Sequence, residues 1–216
     1  MRIGFIGLGN VGGKLANNLL ENNFQITVLD KNNKLMDKFK LKGADSAKSI
    51  QDLVISADIL ITCLPSPKIC EEVLESKGGI IDTIKKDQIW IEMSTTEDGQ
   101  LKRHASLIQK KNAIALEAPV SGGCHRAATG NISIFVGGSR EGFDKAMPVL
   151  RCLGRKILYT GDFGSASVLK VITNYLATVH LVALGEAWTI ASKSNLDLTK
   201  TFKGIAASSG NSFVHE

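Results

Sequence analysis

The sequence predicts an α/β fold: a doubly wound, mostly parallel sheet followed by a long helix and the start of an all-helical second domain. Three observations point there. Short apolar runs alternate with helical patterns up to about residue 160, the first run ends in a glycine-rich turn, and Pro and Gly become rare after Gly164.

Arg2–Ile6 is a short apolar run, and Val11, Leu15, Leu19 and Leu20 then recur at helical spacing over residues 10–22. Gln25–Asp30 is a β-branched run, Asn32–Leu41 a helix ended near Gly43, and Ile50–Ser56 a short helix. Asp58–Leu64 is an apolar strand stopped by Pro65 and Pro67. A helix (Ile69–Glu75), a strand (Gln88–Met93), a helix (Glu97–Lys111) and a strand (Ala113–Ala118) follow. Asn131–Val136, a helix over Arg140–Leu153 and Lys156–Thr160 complete a first domain, residues 1–162. Strands alternating with helices imply right-handed crossovers and parallel pairing.

From Ser165 to Ser194 there is no Pro and Gly185 is the one Gly, while Val168, Val171, Ile172, Tyr175, Leu176 and Val179 keep a 3-to-4 spacing. Such a helix runs about 45 Å, too long for a sheet crossover. It opens a second, helical region, residues 163–216, in which Leu198–Ala207 forms another helix.

The 216 residues carry 26 Lys plus Arg against 21 Asp plus Glu, a net charge of +5 and a pI of about 9.0. With 44% hydrophobic and 22% charged residues the chain is too apolar for disorder and too charged for a membrane protein. Uncharged segments such as Ile3–Gly13 fall short of the ~18 apolar residues of a bilayer span, so no transmembrane helix is expected. Glycines interrupt the apolar amino-terminal stretch, which argues against a signal peptide and for a mature chain starting at Met1. Cys63, Cys70, Cys124 and Cys152 show no C-x-x-C spacing, and His104, His125, His180 and His215 no ligand spacing. Neither a metal site nor a disulfide framework is expected, and a reducing cytoplasm fits. Lys85-Lys86 and Lys110-Lys111 are isolated pairs without interleaved aromatics, so no nucleic-acid surface is expected.

Gly7-Leu8-Gly9-Asn10-Val11-Gly12 is a G-x-G-x-x-G between a strand and a helix, the context that makes the pattern a Rossmann-type dinucleotide site. Gly7 allows the tight turn, Gly9 the approach of a pyrophosphate, and Gly12 close helix packing, while the helix amino end offers N–H groups to phosphates. Asp30 ends the second strand, where a carboxylate can accept from ribose hydroxyls and repel a 2′-phosphate. That favours NAD; Lys31 beside it keeps NADP open. Leu64-Pro65-Ser66 and Ser94-Thr95-Thr96 belong at the same strand edge, as cofactor contacts or as turn punctuation and a helix N-cap.

Ala118-Pro119-Val120-Ser121-Gly122-Gly123 combines a hydroxyl with small residues whose N–H groups can converge on a carboxylate, although an ordinary turn has the same spacing. Lys170 and Asn174 stand four apart, on one face of the long helix. A lysine on an apolar helix face more commonly snorkels to water.

These blocks together resemble the β-hydroxyacid dehydrogenase family, of the 3-hydroxyisobutyrate dehydrogenase and tartronate semialdehyde reductase kind. The resemblance rests on Gly4-Phe5-Ile6-Gly7-Leu8-Gly9, Glu92-Met93-Ser94-Thr95, Ala118–Gly123, and Gly161-x-x-Gly164 with Lys170 and Asn174, and spans essentially the whole chain. It implies hydride transfer between NAD(P) and a small 3-hydroxy acid or semialdehyde. Lys170 is then the acid/base, Asn174 orients the substrate, and Ser121, Gly122 and Gly123 hold its carboxylate. A homo-oligomer is expected. Ala166, Thr173 and Cys124-His125-Arg126 depart from the family pattern, which bears on substrate choice. The family continues with further helices, so the resemblance also implies a truncated chain, and a dinucleotide-binding fragment without turnover is the rival reading.

Overall fold

The structure, a computed structural model, describes residues 1–215. It divides into two compact units, one from Met1 to Lys170 and one from Val171 onward.

The first unit opens with β1 (Arg2–Ile6), α1 (Gly12–Glu21), β2 (Gln25–Leu29), α2 (Asn33–Leu41), β3 (Asp45–Ser46), α3 (Ile50–Ser56) and β4 (Ile59–Thr62). It continues with α4 (Pro67–Glu75), α5 (Ile80–Thr83), β5 (Ile89–Glu92), α6 (Asp98–Gln109), β6 (Ile114–Glu117), β7 (Val120–Ser121) and α7 (Gly123–Ala128). β8 (Ser133–Gly138), α8 (Arg140–Leu153), β9 (Lys156–Gly161) and the first turns of α9 (Ser165–Lys193) complete it. Capping side chains set several helix starts: Asn32 accepts from Lys34 N–H at 3.1 Å, Ser49 from Asp52 N–H at 3.1 Å, and Ser139 from Gly142 N–H at 3.1 Å. Ser66 does the same for α4, with Pro67 in its first turn.

The sheet runs β3-β2-β1-β4-β5-β6-β8-β7, with β9 paired to β8. β1 through β6 are parallel, and Phe5 sits in register with Val28 on one side and Ile61 on the other. β8 is antiparallel to β6 and β7, and β9 runs parallel to β8. β6 and β7 both border β8 because Ala118-Pro119 interrupts what would be one strand, proline having no N–H for the ladder. Helices cover both faces. Leu15 and Leu19 of α1 join Phe143, Val149 and Leu150 of α8 in one core, while Leu53, Leu74, Leu101 and Ile108 form the other around Trp90. β4 and β5 are buried along their full length, the signature of strands covered on both faces.

The short elements β3, α5, β7 and α7 escape the sequence reading because two-residue strands and one-turn helices leave no periodicity. The expected boundary after residue 162 differs from the compact division after Lys170, since the first turn of α9 is tied to β6 by hydrogen bonds. In the second unit, α9 continues to Lys193 and α10 (Leu198–Ala206) follows, capped by Asp197. Among the described residues one helix, α9, is long and apolar enough to cross a membrane by length and composition. The sequence reading missed this because it sought charge-free stretches, and Lys170 and Glu186 interrupt this one.

Where apolar strands end, acids are buried. Glu92 closes β5 with 1% exposure; its Oε2 accepts from Thr62 Oγ1 at 2.9 Å and its Oε1 from Ser94 N–H at 2.8 Å. Thr62 Oγ1 in turn takes the Trp90 indole N–H at 3.0 Å. Burial pushes the Glu92 carboxyl above its ordinary value of 4.5, and pushes the neighbouring Cys63 and Cys70 thiols up to about 12, where Glu92 adds to the effect. The fold therefore favours protonated Glu92. Its contribution to stability is complete below the unfolded glutamate value and fades as pH rises through the folded one. Glu92→Gln, a neutral near-isostere, should raise Tm relative to the parent more at about pH 8 than at about pH 5. Melting curves at both pH values check this; an equal difference at each would show that Glu92 is not held protonated.

Candidate active site

Parallel pairing brings the carboxyl ends of β1 to β6 to one edge. The chain goes from β1 outward through β2 to β3 and returns to β4 on the other side of β1, so the loops after β1 and β4 flank a topological switch point, where ligands bind in such sheets. Backbone hydrogen bonds keep these ends in step: Gly7 N–H to Leu29 O (3.0 Å), Cys63 N–H to Ile6 O (3.0 Å), Met93 N–H to Thr62 O (2.8 Å) and Ala118 N–H to Glu92 O (2.7 Å).

The three glycines of the first loop differ in what they require. Gly7 has φ 98°, and a Cβ there would run into the Cys63 carbonyl; a Cβ at Gly12 would strike the Gly7 carbonyl oxygen. A Cβ at Gly9 would meet nothing within 4 Å. The fold thus needs Gly7 and Gly12, whereas Gly9 keeps open a cradle that a side chain would fill. Asn10 is exposed and Val11 half-buried at the mouth of α1, where the N–H groups of Gly13 and Lys14 are taken by the Gly9 and Val11 carbonyls at 2.9 and 3.0 Å. Leu8 turns its side chain into the core and gives its N–H to Asp30 Oδ2 at 2.6 Å. Asp30 Oδ1 accepts from Asn32 N–H at 2.8 Å, so the acid lies directly against the glycine loop. Lys31 is exposed and pairs with Glu72 at 3.4 Å. The open glycine, the helix start and the adjacent acid fit a dinucleotide.

Leu64 N–H donates to Ser94 Oγ at 2.7 Å, and Ser94 is buried, so this hydroxyl braces two strand ends together. Pro65 and Thr95 are exposed beside it. Ser66, which the sequence offers as turn punctuation, caps α4; the helix N-cap expected of Ser94-Thr95-Thr96 is not formed, because Glu97 occupies the N-cap of α6 without a side-chain bond. Thr96 Oγ1 and Gln100 Oε1 are buried on this side without a hydrogen-bond partner in the protein.

Beyond β7, Ser121 is half-buried and Gly122 and Gly123 have φ 131° and 75°. Two consecutive left-handed residues demand glycine and turn the backbone sharply into α7. Lys170 is half-buried on α9, and burial lowers its pKa from the ordinary 10.5. Asn174 is exposed one turn further along the same helix, in the second unit. Sequence reasoning missed Glu92 and Glu117, buried acids that end the apolar strands β5 and β6; an acid closing an otherwise apolar run was the available signal. A concavity of about 380 Å³ between Lys86, Asn112, Ser139 and Lys145 lies at the amino end of β6, away from these loops. The four cysteines are free, and no cluster of three or more His, Cys, Asp or Glu able to hold a metal occurs among the described residues.

Residues 2–161 match the family model of the NAD binding domain of 6-phosphogluconate dehydrogenase, and residues 164–216 that of the NAD-binding segment of NADP-dependent 3-hydroxyisobutyrate dehydrogenase. The chain belongs to the β-hydroxyacid dehydrogenase family. Mitochondrial 3-hydroxyisobutyrate dehydrogenase of Rattus norvegicus is 35% identical over 208 residues, covering 96% of this chain and 62% of that protein. The 2-(hydroxymethyl)glutarate dehydrogenase of Eubacterium barkeri is 31% identical over 216 residues, covering 100% of this chain and 72% of its own length. Among solved structures, a 3-hydroxyisobutyrate dehydrogenase of Mycobacterium tuberculosis with L-serine superposes with a TM-score of 0.90 at 27% identity, covering 99% of this chain and 72% of that one. The chain thus spans about three-fifths of the first curated relatives it matches, at 62% of their length. Its relatives are NAD(P)-dependent hydroxyacid dehydrogenases, and α9, for all its apolar length, falls within the second dehydrogenase model.

Gly9→Val should abolish NAD binding and leave Tm nearly unchanged, because the new side chain enters open space that a pyrophosphate needs. Calorimetric titration beside a melting curve checks both, and retained affinity would refute the dinucleotide loop. Asp30→Ala should weaken NAD about tenfold, the worth of one charge-assisted hydrogen bond, and narrow the gap to NADP. Parallel titrations of the two cofactors decide; a preference for NADP in the parent would mean that Lys31 governs the site.

Proposed function

We propose that this protein transfers a hydride between NAD and a small 3-hydroxy acid of the 3-hydroxyisobutyrate type, with Lys170 as general acid/base. The observation that carries the reading is the lysine itself, half-buried on an apolar helix with its pKa lowered by burial from the ordinary 10.5, the direction a general base requires. The glycine loop and Asp30 hold the dinucleotide, with Leu64, Pro65, Ser94 and Thr95 along the neighbouring strand ends. When bound, the cofactor supplies the hydride acceptor. Ser121 and the N–H groups of Gly122 and Gly123 receive the substrate carboxylate. Neutral Lys170 takes the hydroxyl proton at Nζ as the carbinol hydride leaves; protonated Lys170 returns it in the reverse reduction. Asn174 orients the substrate, a role carried by the family resemblance. The relatives, a 3-hydroxyisobutyrate dehydrogenase and a 2-(hydroxymethyl)glutarate dehydrogenase, support this substrate class, and L-serine, present with the mycobacterial homologue, is itself a 3-hydroxy acid.

The same residues run in reverse would reduce glyoxylate or another semialdehyde. A protein that binds NAD without turnover is the second reading, favoured by the match of residues 2–161 to an NAD binding domain. The free thiols suit a reducing cytoplasm, and exposed apolar side chains along α9, among them Val171, Tyr175 and Val182, favour a homo-oligomer.

Lys170→Ala should lower turnover of 3-hydroxyisobutyrate or a close analogue at least ~100-fold, the typical contribution of a positioned acid/base, with NAD affinity nearly unchanged. In the oxidation direction the parent rate should rise with pH through a midpoint below 10.5, since the neutral amine is the active form, and the variant should lose that limb. Steady-state kinetics across pH beside an NAD titration separate the readings. Unimpaired turnover in the variant refutes the assignment, and cofactor binding without turnover of any 3-hydroxy acid or semialdehyde by the parent identifies the non-catalytic reading.

A further inference from the structure

Glu117, the last residue of β6, is completely buried at 0% exposure. A carboxylate so placed is costly unless donors surround it. Those it has come from a segment far along the chain. Oε1 accepts the backbone N–H of Gly164 at 2.7 Å and of Ala166 at 2.8 Å; Oε2 accepts the N–H of Ser167 at 3.3 Å and its hydroxyl. These donors form the start of α9, whose first N–H groups have no acceptor within the helix and carry the positive end of its dipole. The carboxylate both satisfies them and opposes that charge.

Space is reserved for this arrangement. Gly137 lies opposite Glu117 in the antiparallel β6–β8 pair, and a Cβ on it would collide with Glu117 Oε1. Two further bonds lock the turn before the helix: Thr160 Oγ1 with Ser165 Oγ at 2.7 Å, and Ser165 Oγ with Asp162 O at 2.6 Å. Lys170 stands three residues beyond Ser167 and four beyond Ala166, on the face that Glu117 fastens. In the other direction, the chain reaches Ser121 four residues after Glu117. One side chain therefore joins the segment read as holding the carboxylate of the substrate to the helix turn that carries the acid/base.

We propose that Glu117 is the positioning residue for Lys170, setting it against the Ser121–Gly123 turn. This rests on the acid/base reading of Lys170 given above. A purely structural cap would lower Tm when removed and leave the surroundings of Lys170 alone. A positioning residue would change Lys170 itself, because a loosened first turn lets water reach the amine.

The test compares the parent with Glu117→Ala, Glu117→Gln and Gly137→Ala. The glutamine retains an Oε1 acceptor for Gly164 and Ala166 but loses the charge and the acceptor for Ser167 N–H; the alanine at position 137 displaces the carboxylate without removing it. Lys170 is followed directly by NMR of ¹³C-methylated lysines, its resonance assigned from Lys170→Arg, alongside Tm, NAD affinity and kcat. In Glu117→Ala and Gly137→Ala the Lys170 titration should move up toward the ordinary lysine value, and kcat should fall about 100-fold, as for a misplaced catalytic group, with NAD affinity unchanged. Glu117→Gln should fall between these and the parent, a partial rescue. Should Glu117→Ala fail to fold, Glu117→Gln and Gly137→Ala decide alone. Folded variants with a lower Tm but the parent's Lys170 titration and kcat overturn the proposal. Lys170→Ala, measured in the same series, keeps the two claims apart: normal turnover there removes the acid/base reading, whereas the NMR titration reports on positioning whether or not Lys170 catalyses.

Discussion

Parallel pairing is the constraint on which the site depends. Because β1, β4, β5 and β6 run the same way in neighbouring register, every loop that leaves a carboxyl end emerges on one edge, and the bonds from Gly7, Cys63, Met93 and Ala118 to the adjacent strand hold those loops at fixed offsets. A shift of one residue would turn Glu92 and Glu117 off the faces where their donors lie. Register at the sheet centre therefore decides the chemistry at its rim.

Both of these acids occupy positions where an apolar strand would ordinarily bury a valine or leucine. Each is kept by a different set of donors. Glu92 gathers the ends of β4 and β5, through Thr62 and Ser94, and Ser94 in turn holds the Leu64 loop. Glu117 reaches outside the sheet to the start of α9. Ser94 thus braces two loops of the switch point from a buried position. Buried polar groups of this kind work only when fully satisfied, which makes their surroundings intolerant: Gly137 has no room for even a methyl group.

The glycine loop illustrates how differently one motif can be constrained. Gly7 and Gly12 are demanded by their own backbone neighbours, so they would be needed in any protein with this turn, whereas Gly9 is demanded by nothing in the chain. A glycine that the fold does not require is best explained by what the fold is for.

The sequence by itself determined the layered α/β architecture, the long helix, the dinucleotide loop and the block around Ser121, because alternating apolar runs, helical spacing and paired glycines are local signals. Helices Ile50–Ser56 and Arg140–Leu153 fall where the pattern put them, being bounded by Ser49 and Ser139 as caps and closed by residues that leave the helical spacing. Only the tertiary structure decided that β8 runs antiparallel beside β6, that Asp30 binds the Leu8 N–H, and that Glu117 fastens Gly164, Ala166 and Ser167. Those partners lie 20 to 50 residues apart in the chain. No periodicity encodes such a pairing; it exists once the sheet has placed the two segments side by side and excluded the water that would otherwise satisfy them.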